Sequence, residues 1–174
     1  MPRARGEDPS QARPDEVDQL VAAWRTERPE VDVEPLEVFS RVSRLAVFAD
    51  RERRAAFSAH GLEPWGFDVL AALRRAGAPY ALSPGALLRA TLVTSATMTH
   101  RVDRLEHAGL VTRSPDPEDR RGVRVVLTAA GRERVDAALA DLVRAEAGIL
   151  DSLTDVERDD LAALLRRLLR PLEG

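Results

Sequence analysis

The chain has no cysteine among its 174 residues, so disulfides, thiolate zinc sites and thiol-based peroxide sensing are all excluded. It also has no lysine. All 26 basic residues are arginine, a bias that GC-rich coding accounts for, so the identity of an arginine is discounted as a signal at any one site. No apolar run approaches the ~20 residues of a membrane span, and the N-terminal MPRARGEDPSQARPDE lacks the apolar stretch of a signal peptide. A cytoplasmic location is expected. The three histidines, His60, His100 and His107, lack the i, i+4 spacing of a helical zinc pair, so no metal or other cofactor is expected. No nucleophile elbow, phosphate loop or pair of catalytic carboxylates is present, which argues against an enzyme and leaves no catalytic residues to name.

What is present is organised around Ser83–Leu127. Ser83 and Pro84 form an N-cap followed by a proline at the first helical position, where the missing N–H costs nothing. The short helix they open should reach about Ala90. After the Leu92-Val93 corner, Thr94 can cap a second helix, Ser95 to His107, whose Met98, Val102 and Leu105 recur at helical spacing and which Gly109 stops. The apolar row faces home, leaving Ser95, Thr97, Thr99, His100, Arg101 and Arg104 on the other faces. Two short helices across a tight turn, the second rich in hydrogen-bonding groups, are how a helix-turn-helix addresses the major groove. Beyond Gly109, the β-branched runs Leu110-Val111-Thr112-Arg113 and Val123–Leu127 flank a polar tract and predict a hairpin. Its tip holds Asp119, Arg120 and Arg121, and a basic tip beside a recognition helix can enter a minor groove, whose negative potential favours arginine. Such a hairpin is a wing.

Around this centre the chain is expected to divide into a disordered arm (1–13), N-terminal helices for dimerisation and a pocket (14–60), the winged helix-turn-helix DNA-binding domain (61–128) and C-terminal dimerisation helices (129–174). In DEVDQLVAAWRTER, starting at Pro14 or Asp15, the residues Val17, Leu20, Val21 and Trp24 share one face. One long helix is expected from Glu34 to about Ala59, with Leu36, Phe39, Val42, Leu45 or Ala46, and Ala49 in line. Pro64 to Gly77 reads as a core helix through Trp65, Phe67, Val69, Leu70 and Leu73. Thr128 caps a helix bearing Val135, Leu139, Leu142 and Ile149, and Thr154–Glu157 is a capping box before Leu161, Leu164, Leu165, Leu168 and Leu169. The fold class expected is mainly α with a small β-hairpin wing: a winged helix-turn-helix plus a helical dimerisation layer. Those terminal helices hold more apolar surface than one small winged domain covers, so a two-fold homodimer is expected.

The net charge of −3 runs against a nucleic-acid binder, and between Met98 and Arg124 six arginines face five acids. Affinity must then come from geometry, with arginines on phosphates, acids paired or turned away, and two copies acting together.

The segment TSATMTHRVDRLEHAGLVTRSPDPEDRRGVRVVLTAAG resembles the core of the MarR family of winged helix-turn-helix repressors, most specifically at RLEHAGLV, at Asp119-x-Arg121 and at LTAAG. The helical pattern on both sides extends the likeness over roughly residues 34 to 172. The resemblance implies that Asp119 orients Arg121, and it departs at His100, where relatives often carry asparagine, which shifts the expected base preference. The chain is also similar to a branch of the family that responds to urate or related organic anions, with an extra N-terminal helix carrying a tryptophan. That likeness implies a ligand set of Trp24, Asp68, Arg89 and Arg101. The plainer alternatives are that Trp24 packs its helix, Asp68 pairs with a nearby arginine and Arg101 touches phosphate. The function expected is a dimeric regulator of inverted-repeat double-stranded DNA, acting as a repressor released by urate or a polycarboxylate; the alternative is a constitutive or partner-regulated DNA-binding or architectural protein with no ligand.

Overall fold

A computed structural model describes residues 14–91, 95–117 and 122–173, Ser95 by its backbone alone. The chain divides into two compact units, Met1–Asp50 and Arg51–Gly174.

In the first unit, helix α1 (Glu16–Glu27) starts at Asp15, whose carboxylate accepts from the backbone N–H of Val17 and Asp18 while Asp18 returns a bond to the Asp15 N–H. This reciprocal cap satisfies donors that the first helical turn would otherwise leave unpaired. Arg41 of helix α2 (Glu34–Ser58) reaches back to Asp15 at 2.9 Å and Asp18 at 2.7 Å, and to Glu37 on its own helix. The Arg41 hydrogen bond, followed by the Asp18 amide, lowers the Asp15 carboxyl to about 2. Val17, Val21 and Val33 are buried together with Leu36 against them. The expected apolar face of α1 is only half enclosed, because Leu20 and Trp24 are exposed. Along α2, Val38, Phe39, Val42, Leu45 and Val47 are exposed too, so the periodic row is present but this chain alone does not cover it.

The second unit begins with the last turns of α2, where Ala56 and Phe57 are buried, and Phe57 stacks on Phe67 at 4.1 Å. Helix α3 (Pro64–Arg75) sends Phe67, Val69, Leu70 and Leu73 into the core, and Gly77 ends it at φ +76°, a left-handed conformation that glycine adopts freely. Strand β1 (Ala81–Leu82), α4 (Pro84–Thr91), α5 (Ser95–His107), β2 (Val111–Pro115) and β3 (Val123–Leu127) follow. Leu87 of α4, Met98, Val102 and Leu105 of α5, and Val111 and Val125 of the strands complete one hydrophobic cluster with Val135, Ala138 and Leu142. The wing differs from a two-stranded hairpin: the sheet has the order β1-β3-β2, with Ala81 opposite Val126 and Leu82 opposite Val125. β1 therefore ties the entrance of α4 to the central strand of the wing. Trp65, expected in the core, lies half-buried at its rim.

Helix α6 (Ala129–Ile149) is capped by Thr128, whose hydroxyl accepts from the Gly131 N–H at 3.0 Å and lies within hydrogen-bond distance of the Gly109 and Leu110 carbonyls, to one of which it donates. Val135 and Leu142 are buried, whereas Leu139 of the same expected row is exposed. The capping box at Thr154 and Glu157 opens α7 (Asp155–Leu169), which buries none of its residues and exposes Leu164, Leu165, Leu168 and Leu169. Among the described residues no helix is long and apolar enough to cross a membrane.

Gly131 shows how closely α6 is pressed onto the end of α5. A Cβ there would lie 2.0 Å from the Leu110 carbonyl oxygen and 2.9 Å from Leu127 Cδ1. Gly131→Ala is expected to destabilise the fold by about 1–3 kcal/mol through overpacking. Gly148→Ala, on the same helix with nothing within 4 Å, should hold or raise the melting temperature. Thermal melts of the two variants check the contrast.

Candidate nucleic-acid interface

Three residues set the orientation of α5. Met98, Val102 and Leu105 are 2%, 3% and 4% exposed, so their common stripe faces the core and the opposite side of the helix is turned outward. Ala96, Thr97, Thr99, His100, Asp103, Arg104 and His107 are exposed there, and Arg101 is half-buried at one edge. Ser83 caps α4 as expected, its hydroxyl accepting from the Ala86 N–H at 3.3 Å, and Leu87 anchors that helix beneath α5. Gly109, at φ +69°, ends α5 and turns the chain into β2.

Each flank of α5 holds a charge network. On one flank, the guanidinium carbons of Arg104 and Arg101 lie 4.8 Å and 5.7 Å from the Trp65 ring centroid, within cation–π range. Trp65 Nε1 donates to Glu63 at 3.1 Å, and Arg104 donates to the other Glu63 oxygen at 3.0 Å. The Trp65 bond first, and the Arg104 bond second, hold the Glu63 carboxyl below the usual range for a glutamate. On the other flank, Arg113 of β2 pairs with Asp103 at 2.5 Å and with Glu106, which also accepts the Arg113 backbone N–H at 2.9 Å. The Asp103 bond, with Glu106 behind it, raises the pKa of the Arg113 guanidinium still further. The two acids of the recognition helix thus carry a counter-charge of their own.

The wing places β2 and β3 in register from Val111 opposite Leu127 to Pro115 opposite Val123. Near its tip Arg124 pairs with Asp116 at 2.9 Å, and the Asp116 N–H donates to the Gly122 carbonyl. Asp119, Arg120 and Arg121, and the capping residue Thr94, lie outside the described residues.

The residues expected to hold a ligand are spread over several elements. Asp68 on α3 and Arg89 on α4 are both exposed, and Asp68 forms no ion pair among the described residues. Arg101 rests over Trp65, and Trp24 belongs to the other unit, where it is exposed. A recess of about 210 Å³ lies elsewhere, between α4, α5 and β3, and is lined by Pro84, Leu88, Met98, Thr99, Arg113 and Val123 among others. Sequence reasoning missed Glu63, Trp65 and Arg113 as partners of the recognition helix. Trp65 was visible only as one more apolar residue at helical spacing. Among the described residues no three metal-ligating side chains cluster, and His60 bonds Asp141 at 2.8 Å.

A model of the MarR family matches residues 60–122, which run from the approach to α3 into the wing. The transcriptional regulator PecS of Dickeya dadantii is 41% identical over 153 residues, 88% of this chain and 92% of that one. The chain belongs to the MarR family. The transcriptional repressor NicR of Pseudomonas putida is 34% identical, over 80% of this chain and 89% of its own. The structure of BpsR from Bordetella bronchiseptica, solved to explain how 6-hydroxynicotinic acid regulates its DNA binding, superposes with a TM-score of 0.56 at 31% identity, over 74% of this chain and 98% of that one. Members of the family are DNA-binding transcriptional regulators rather than enzymes and generally bind DNA as dimers.

The exposed face of α5 is close to neutral, and Arg113 matters to it although it sits on a strand beside the helix. Arg113→Ala leaves Asp103 and Glu106 without their counter-charge. Affinity for any duplex should fall on the order of tenfold at low salt and by less at high salt, as screening removes the repulsion. Adding Asp103→Asn and Glu106→Gln should restore it, as fluorescence-anisotropy titrations at two ionic strengths would reveal.

Proposed function

We propose that the protein is a dimeric, cytoplasmic transcriptional repressor that binds a pseudo-palindromic operator and is released by a small organic anion. The observation that carries the DNA-reading part is the division of α5 into a dry stripe, Met98, Val102 and Leu105, and an outward face with Thr97, Thr99 and His100. Ser95, Thr97, Thr99 and His100 read base edges in the major groove, and Arg101 and Arg104 meet the backbone. Arg120 and Arg121, the latter oriented by Asp119, take the minor groove. Residues 61–128 form the DNA-binding domain. The exposed apolar faces of α2 and α7 support dimerisation through residues 14–60 and 129–174, since a second copy would remove both from water. Two recognition helices related by a dyad must read half-sites about one turn, ~34 Å, apart, in an operator of about 16 to 20 base pairs. The operator is found by sequencing genomic DNA retained by the protein, and inserting five base pairs between its half-sites should abolish binding. Equal binding to the spaced site, or binding as a monomer, would overturn the architecture.

Repression is supported by the relative NicR, a repressor, and release by an anion is supported by BpsR, whose DNA binding 6-hydroxynicotinic acid regulates. Asp68, Arg89 and Arg101 form the ligand set within the second unit. Arg101 gives the pocket its leverage: an anion that draws this guanidinium from the Trp65 ring acts directly on α5. Because paired helices must match one DNA turn, a small displacement costs about 5- to 150-fold in operator affinity. Urate, 6-hydroxynicotinate and citrate are the candidates for operator titration. At least one should release the wild-type protein, and Arg89→Ala should bind DNA but ignore it. Wild-type binding that no candidate shifts would favour a constitutive regulator, and an Arg89→Ala variant that responds like wild type would remove Arg89 from the pocket.

A further inference from the structure

The flank of α5 made by Glu63, Trp65, Arg101 and Arg104 contains an acid at a place where a DNA-binding surface gains nothing from one. Glu63 occupies the N-cap position of α3, yet its side chain makes no capping bond there. Its two oxygens are committed elsewhere, one to Trp65 Nε1 and one to Arg104, 41 residues away in sequence. Trp65 holds the carboxylate from below and offers its ring face to both arginines. The result is a brace between the start of α3 and the middle of the recognition helix. Packing does not require it, since Met98, Val102 and Leu105 already seat that helix.

Arg104 and Glu63 are 52% and 59% exposed, so the pair is solvated and opens at little cost when a stronger anion arrives. A duplex phosphate is such an anion, and the single positive charge of Arg104 can balance only one of the two. The geometry points to Glu63 as an intramolecular competitor of the DNA backbone: held by Trp65, it takes up the charge of Arg104 and sets how much sequence-independent affinity the recognition helix contributes. Glu63 is a positioning residue that acts through Arg104 and does not itself touch DNA. This inference rests on the reading of α5 as the DNA-facing helix.

The test is Glu63→Gln, which keeps the side-chain shape and an acceptor for Trp65 but removes the charge. The full-length variant and wild type are titrated, over a series of salt concentrations, with the genomic fragment most enriched on the wild-type protein and with a mixed-sequence duplex of equal length. Glu63→Gln should bind both duplexes about two- to fivefold more tightly per protomer, the scale of one exposed ion pair. The plot of log affinity against log salt should steepen by about 0.9 per protomer, one more phosphate neutralised. In Glu63→Gln/Arg104→Ala both gains should vanish, with melting temperatures close to wild type throughout. Unchanged affinity and slope, a gain confined to one duplex, weaker binding by a normally folded Glu63→Gln, or a gain that survives Arg104→Ala would each overturn the competitor role and leave α5 as the reading helix. If the wild type binds neither duplex, the DNA-facing reading fails and the competitor role fails with it.

Discussion

The recognition helix is useful only because Met98, Val102 and Leu105 are dry. Each such side chain contributes about 1.5–3 kcal/mol when fully buried, whereas the solvated ion pairs along the edges of the helix belong to a class worth about 0–1 kcal/mol. Packing therefore decides where α5 sits and the charges do not. The outward face, His100 and the threonines included, can consequently be substituted without moving the helix. Leu87 beneath α5, and Val111 and Val125 of the wing, join the same cluster, so α4, α5 and the wing strands are seated on one body.

The helix ends were legible because their chemistry is local. Ser83, Thr128 and Thr154 all accept from backbone N–H groups at the start of their helices, and Gly77 and Gly109 supply positive φ where helices stop. Contacts across the fold were much harder to read. β1 has two residues, too few for any alternation, and only its pairing with β3 makes it a strand. Trp65 has the spacing of a core residue, and periodicity does not distinguish a ring in the interior from one at the rim with arginines on its face. The pairs Glu63–Arg104 and Arg113–Asp103 join residues 41 and 10 apart, and no local rule selects one arginine among 26. Likewise the apolar rows of α2 and α7 were visible as patterns, but a row does not say whether its own chain or another covers it.

An acidic protein that binds DNA must solve a problem of placement. The chain has 29 acids against 26 arginines, and long-range attraction alone would not bring it to a polyanion. Among the described residues, the acids flanking α5 are paired: Asp103 and Glu106 with Arg113, Asp116 with Arg124, Glu63 with Trp65 and Arg104. Arg113 belongs to wing strand β2, so folding the wing against α5 is also what neutralises the two acids of the helix. Shape and charge at this surface therefore form together.

That economy has a consequence for selectivity. A strongly basic face binds every duplex and leaves sequence to decide a small remainder, because the backbone supplies sequence-independent affinity. Where arginines are balanced against acids within the same surface, non-specific attraction is low and base contacts make up a larger share of what holds the complex. Two copies on the dyad proposed above would square that discrimination, since both half-sites must fit at once. On that reading, near-neutrality at α5 runs in favour of DNA recognition, because it would leave a modest set of threonine and histidine contacts a larger share of the binding.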